Sequence, residues 1–161
     1  GEITLKSVDR EYLDLAIDTA DRNIAEGGGP FGAVIACHGR LVARAANMVV
    51  PSHDPTAHAE IVAIRQASAL LGTHDLSECV LYASCEPCPM CLGAIYWAGI
   101  RRVVYASDRH GAAAAGFDDE KIYSELTLDM EERSIMMERG LIDRGDNVLR
   151  KWEEYPDKTR Y

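Results

Sequence analysis

Two short stretches hold most of the side chains able to do chemistry, His58-Ala59-Glu60 and Pro87-Cys88-Pro89-Met90-Cys91. One imidazole and two thiols are donors that zinc takes, and the Cys-x-x-Cys spacing sets two sulfurs about one helical turn apart. Three protein ligands leave one tetrahedral position open, the mark of a catalytic zinc, where bound water has its pKa lowered to about 7. Glu60, two residues after the histidine, is the carboxylate that would shuttle protons at such a centre. Other readings use the same residues. Cys85 offers a third sulfur that would close a four-ligand structural site, and a lone Cys-x-x-Cys also serves as a redox pair. The run Cys85-x-x-Cys88-x-x-Cys91 has the spacing that begins an iron-sulfur motif, but no cysteine follows Cys91. A structural zinc does not require Glu60, which favours the catalytic reading. His53, His74 and His110 lack comparable neighbours, and Cys37 and Cys79 lie in apolar runs that suit small core residues.

These residues need elements to bring them together. Asp54 followed by Pro55 reads as an N-cap and first helical position, opening a helix through Ile61, Ile64 and Leu70 to a stop at Gly72. A second helix is expected over Pro87 to Ala98. Both motifs then follow a loop and open a helix, where the helix N-terminus stabilises thiolates. Within a regular helix His58 and Glu60 would point about 200° apart, so a metal is expected off the helix end, near its axis. Apolar runs at Cys79 to Ser84 and Arg101 to Ser107 flank the second helix, and strand-helix-strand order implies a parallel pair. Ala33 to Cys37 and Leu41 to Ala46, separated by His38-Gly39-Arg40, read as an antiparallel hairpin. Upstream, Ser7 caps a helix whose apolar positions Val8, Tyr12, Ala16, Ile17, Ala20 and Ile24 fall at helical spacing, ended by Gly27 to Gly29. The sum is a mixed sheet covered by helices. Past Ser134 we expect a strand over Ile135 to Glu138 and a final helix over Val148 to Tyr155.

Composition narrows the function classes. A chain of 161 residues with 47% hydrophobic and 27% charged residues predicts one globular domain over 1–161 rather than a disordered or fibrous chain. No apolar run approaches the roughly 18 residues of a membrane span, and Gly1 to Lys6 is no signal sequence, so a cytoplasmic protein without membrane contact is expected. The formal net charge is -9 and Arg101-Arg102 is the largest basic cluster, which disfavours nucleic acid as a partner. Five cysteines, three of them within seven residues, also disfavour a secreted disulfide framework.

The stretches DPTAHAEIVAIRQA (Asp54 to Ala67) and YASCEPCPMCLGAIYWA (Tyr82 to Ala98), with GGPFGAVI (Gly28 to Ile35), Asn47 and AGFDD (Ala115 to Asp119), cover most of the chain. Together they resemble the cytidine deaminase-like superfamily and, within it, the bacterial guanine deaminases. The resemblance implies a three-layer α/β/α sandwich around a five-stranded mixed sheet, Zn2+ held by His58, Cys88 and Cys91, and Glu60 as proton shuttle. It implies hydrolytic deamination of guanine to xanthine and ammonia. Asn47 would hydrogen-bond the base, the Ala59 backbone N–H would serve its carbonyl edge, and Phe31 would form an apolar wall, where an ordinary core aromatic is the competing role. Asp119, or its neighbour Asp118, resembles a substrate-recognising acid, against the plainer role of helix N-cap, and Glu125 is a second acid near enough in sequence to share the task. The segment 134–161, ending in Tyr161, would close the site of its own chain or of a partner in a homodimer. Other substrates compatible with the zinc motif are another nucleobase, a nucleoside, an aminotriazine or a tRNA adenosine. The non-enzymatic alternative is a zinc-stabilised binding module.

Overall fold

The computed structural model describes residues 1–161, and they form two compact units, Gly1–Asp119 and Glu120–Tyr161. The first unit opens with α1 (Ser7–Ala25), followed by β1 (Gly32–Cys37) and β2 (Arg40–Ala46). A single turn α2 (Val49–Ser52) precedes α3 (Ala59–Leu71), β3 (Cys79–Cys85), α4 (Pro89–Ala98), β4 (Val103–Ser107) and α5 (Arg109–Ala114). Gly72 and Gly99, both in the left-handed conformation at φ 67° and 78°, end α3 and α4.

The strands lie in the order β2-β1-β3-β4, with β1 antiparallel to both neighbours and β3 parallel to β4. Period-two alternation divides the core. Ala33 and Ile35 of β1 and Cys79, Leu81 and Ala83 of β3 face Ala59, Ala63 and Ala67 of α3 and Ile95 and Ala98 of α4. The intervening residues Val34, Ala36 and Tyr82 face Tyr12, Leu13 and Ala16 of α1. Both sheet faces are therefore covered by helices, which makes three layers. Alanines dominate the contact rows, so helix and sheet approach closely. At Gly32 a Cβ would lie 2.2 Å from the Ala16 carbonyl oxygen, so no larger residue fits there.

Several sequence expectations change. Ser7 does not cap α1 but is its first residue, the N-cap position falling on Lys6 with no side-chain cap bond. The sheet has four strands, not five. Ile135 to Glu138 is irregular, with Ile135 and Met136 74% and 82% exposed, because the second unit contains no other extended segment for a strand to pair with. Asp54 does not open α3. Its Oδ1 accepts from the Thr56 N–H at 2.9 Å and the Thr56 hydroxyl at 2.7 Å, a side-chain-closed turn that delays the helix until His58 takes the N-cap position.

The second unit contains α6 (Glu120–Leu126), a 3-10 turn (Met130–Glu132) and α7 (Ile142–Glu154), which starts six residues before the expected Val148. Val148, Leu149 and Trp152 fall at helical spacing on α7 and remain 61%, 67% and 42% exposed.

Candidate active site

The chemistry-bearing residues gather where β3 ends and α3 and α4 begin. His58 is the N-cap of α3 with extended backbone (φ -64°, ψ 155°), and Cys88 is the N-cap of α4 (φ -67°, ψ 170°). Because His58 stands outside the helical geometry, the roughly 200° separation expected between it and Glu60 does not apply. Pro89 at the first position of α4 carries no N–H to waste, and the Cys91 N–H donates to Cys88 Sγ at 3.5 Å. His58 Nδ1 lies 3.5 Å from Cys88 Sγ and 3.5 Å from Cys91 Sγ.

Tetrahedral zinc with ordinary Zn–N and Zn–S bonds holds its ligand atoms about 3.6 Å apart, so the donor set fits zinc in kind and in spacing. All three ligand atoms lie within 4.8 Å of one another. Cys85 stays outside this cluster. Its thiol is pushed up to about 11, first by burial and then by the charge of Glu60, and donates to the Asp108 carbonyl at 3.5 Å. A three-sulfur closed site is therefore not what the fold builds.

Cys88 is pulled down to about 4, first by the hydrogen bond from the Cys91 thiol, while Cys91 is raised by the Cys88 thiolate and by burial. The His58 imidazole is raised by its hydrogen bond to Cys88. Glu60, in the first turn of α3 and 7% exposed, has its carboxyl raised above the usual range by burial, with the Cys91 hydrogen bond opposing. A buried carboxyl beside a metal cluster, able to hold or release a proton, is the chemistry of a proton shuttle.

Asn47 is 7% exposed, and its Oδ1 accepts from the Val49 N–H at 3.1 Å, which leaves Nδ2 as the donor. Phe31 meets Phe117 edge to face, with ring centroids 4.9 Å apart, and the Asn47 N–H donates to the Phe31 carbonyl at 3.1 Å. Ala59 is fully buried at the first position of α3, where a backbone N–H has no intrahelical acceptor. Asp119 has its carboxyl raised by burial and then by the charges of Cys88 and Glu86, which places it within their electrostatic reach. Asp118 is exposed. In the second unit Glu125 accepts from the Ser134 N–H at 3.0 Å, which holds its carboxyl below the usual range, and Tyr161 is 82% exposed.

Sequence reasoning missed Phe117 and Asn23. Phe117 sits in the quoted AGFDD segment but was passed over for its acids. Asn23 interrupts the buried row Tyr12, Ala16, Ala20 of α1 at helical spacing, and a polar residue in a core row was the signal available.

Residues 6–107 match the family model of the cytidine and deoxycytidylate deaminase zinc-binding region. The chain belongs to this family. Over 151 residues it is 46% identical to the guanine deaminase of Bacillus subtilis, covering 93% of this chain and 97% of the relative. The X-ray structure of guanine deaminase from Bacillus subtilis superposes with a TM-score of 0.92 at 44% identity, covering 98% of this chain and 99% of that one. A tRNA-specific adenosine deaminase of Aquifex aeolicus is 34% identical, covering 90% of this chain and 83% of the relative. The protein named NE0047, solved as a mutant in complex with 8-azaguanine, matches with a TM-score of 0.67 at 39% identity, covering 71% of this chain and 66% of that one. The zinc-binding family and the fit of the His/Cys/Cys cluster make this a zinc-dependent deaminase, and no helix is long and apolar enough to cross a membrane.

Proposed function

We propose that the protein is a guanine deaminase, converting guanine and water to xanthine and ammonia. The observation that carries the reading is the near full-length correspondence with the Bacillus subtilis guanine deaminase, which extends through both units of the chain. The tRNA-specific relative is less similar, and a net charge of -9 opposes a polyanionic substrate.

His58, Cys88 and Cys91 would hold the zinc, which would supply a Lewis acid able to make water a nucleophile at neutral pH. The remaining work falls to the chain. Asn47, with its acceptor engaged by Val49, offers Nδ2 to the base carbonyl, and the Ala59 N–H offers a second donor. Asp119 offers acceptors to the ring N–H and exocyclic amine of guanine, whereas adenine presents a bare acceptor nitrogen where guanine has that N–H. Phe31, braced by Phe117, forms an apolar wall. Glu60 takes one proton from the attacking water and delivers it to a ring nitrogen, then takes the second from the hydroxyl now on C2 and passes it to the amine, which leaves as ammonia as the C2 carbonyl forms. Asp118 and Glu125 stand as weaker candidates for contact with the base.

The chain works as one domain whose segment 134–161 closes an active site, with Tyr161 at its mouth, in a homodimer. Support for association comes from apolar side chains left in solvent, including Tyr96 at 77% and Met136 at 82% exposed. A reducing cytoplasmic setting suits five free cysteines. The deciding experiment is ammonia release from zinc-loaded protein offered guanine, guanosine, adenine, cytosine and tRNA. Guanine should be deaminated far faster than the others, and absence of xanthine from guanine overturns the reading.

A further inference from the structure

Asn23 ends the core-facing row of α1 with an amide and is 4% exposed. Both hydrogens of its Nδ2 are spent, one on the Gly29 carbonyl at 2.8 Å and one on the Asn47 carbonyl at 2.9 Å. Those acceptors belong to the two segments that carry Phe31 and Asn47. The segments are also tied to each other. The Phe31 N–H donates to the Gly29 carbonyl at 2.9 Å, and the Asn47 N–H donates to the Phe31 carbonyl at 3.1 Å, so Asn23, Gly29, Phe31 and Asn47 form a closed ring of hydrogen bonds. The Gly28 N–H adds a bond to the Asn23 carbonyl at 3.0 Å. A Cβ on Gly28 would lie 2.2 Å from Asn23 Nδ2, so residue 28 must be glycine if the amide is to reach between the two segments.

A residue needed only for packing would not divide its two donors between separate segments. We propose that Asn23 is a positioning residue for base recognition, one Nδ2 holding the Gly29 and Asn47 carbonyls and so fixing the Phe31 wall against the Asn47 amide. The inference rests on the reading of Asn47 and Phe31 as contacts to the purine. A misplacement of about 1 Å in such a pair is enough to cost up to about a hundredfold in efficiency. Aspartate at position 23 keeps the size but replaces both donors with an acceptor, so two carbonyls would face a carboxylate and be pushed apart.

Steady-state kinetics with guanine on the zinc-loaded protein test this. Asn47→Ala should raise KM by about tenfold or more. Asn23→Asp should raise KM by about tenfold while kcat stays within about threefold and zinc content is unchanged. Gly28→Ala presses on the same amide from the loop side and should do the same, which preserves the test if Asn23→Asp does not fold. Because Asn23 acts through Asn47, the double variant Asn23→Asp/Asn47→Ala should raise KM by less than the product of the single effects. Arg102→Ala, which breaks the ion pair with Asp9 at the other end of α1, should lower Tm without moving KM. A normal KM in folded Asn23→Asp or Gly28→Ala, beside a raised KM in Asn47→Ala, overturns the positioning role alone. A double effect equal to the product, or an equal rise of KM in Arg102→Ala, overturns it as well. A normal KM in Asn47→Ala overturns the reading of the base contact and the inference with it.

Discussion

Strand β3 serves two buried polar clusters, and they differ in how completely their members satisfy one another. Toward α1, the Asp9 carboxylate is 3% exposed and accepts two bonds from Arg102 at 2.9 and 2.6 Å and one from the Tyr82 hydroxyl at 2.6 Å. The Arg102 hydrogen bonds hold Asp9 down to about 2, while burial and then the Asp9 hydrogen bond push Tyr82 up to about 12. Charge and hydrogen bonds close on themselves there. At the C-terminal end of the strand two sulfurs, an imidazole and a nearly buried carboxyl crowd together, all of them electron-pair donors, with His58 Nδ1 3.5 Å from each sulfur. A closed network stabilises a fold, whereas a surplus of electron-pair donors calls for a cation. Burial and polarity alone do not separate the two clusters, but saturation does.

The sharpest way to break that comparison is to remove a ligand. Cys88→Ala should lose its zinc by metal analysis and its deaminase activity entirely, while Arg102→Ala keeps both. If Cys85→Ala loses the metal and Cys88→Ala keeps it, the ligand set is wrong. Next in size is Glu60→Gln, which should retain zinc and fold but lose about 10² to 10⁴ in kcat, the usual contribution of a positioned proton donor or acceptor. Near-normal turnover in that variant removes Glu60 from the reaction.

The closed cluster predicts stability instead of rate. Arg102→Ala leaves the Asp9 carboxylate with only the Tyr82 hydroxyl, and should cost about 2–3 kcal/mol, or a fall in Tm of about 6 °C, with kcat/KM for guanine unchanged. The pH dependence has a definite sign. A carboxyl whose folded pKa lies below its usual 3.8 contributes stability that is fully present above about pH 4 and lost as pH falls toward about 2. The Tm difference between wild type and Arg102→Ala should therefore be constant near neutrality and shrink below pH 4. A gap that persists undiminished at pH 2 would show that Arg102 acts through packing, not through the ion pair.

The same contrast explains what could be read without coordinates. The metal cluster was legible because each half carries its own short motif, His58 with Glu60 and Cys88 with Cys91, although the two halves lie 30 positions apart in the chain. The strands and helices of the first unit were legible because β1 and β3, covered on both faces, are continuous apolar runs and α1 repeats at helical spacing. The ring around Asn23 and the Asp9 triad were not, since no short motif marks either partner of contacts that span 24 and 93 positions. Asp54-Pro55 misled for a local reason, as the same residue types cap a helix or close a turn and only the Thr56 hydroxyl decided between them. The fifth strand failed because apolar β-prone residues make a strand only where a neighbour offers its backbone, and Ile135 to Met137 have none in their own unit.

The smallest expected effect concerns the end of the chain. In the second unit the Lys158 ammonium donates to the Glu153 and Tyr155 carbonyls at 2.8 and 3.0 Å, and Arg160 pairs with Glu153 at 2.9 Å. These bonds satisfy the C-terminal carbonyls of α7 and hold the last residues in one course, although chain ends ordinarily fray. Tyr161 nevertheless remains 82% exposed, so the tether is not there to bury its ring within the unit. An ordered but uncovered aromatic is suited to meeting something else, and a phenol ring can both stack on a purine and donate a hydrogen bond. Deleting Lys158 to Tyr161 should lower kcat/KM for guanine by about tenfold, with zinc content unchanged and Tm moved by less than about 2 °C, because the deleted contacts are exposed ones. Tyr161→Ala should reproduce most of the loss if the ring is the active part, and Arg160→Ala a fraction of it if the tether only orders the ring. Full activity in the deletion would make the tail an appendage, and full activity of the intact chain in a demonstrably monomeric preparation would exclude a site completed by a second subunit.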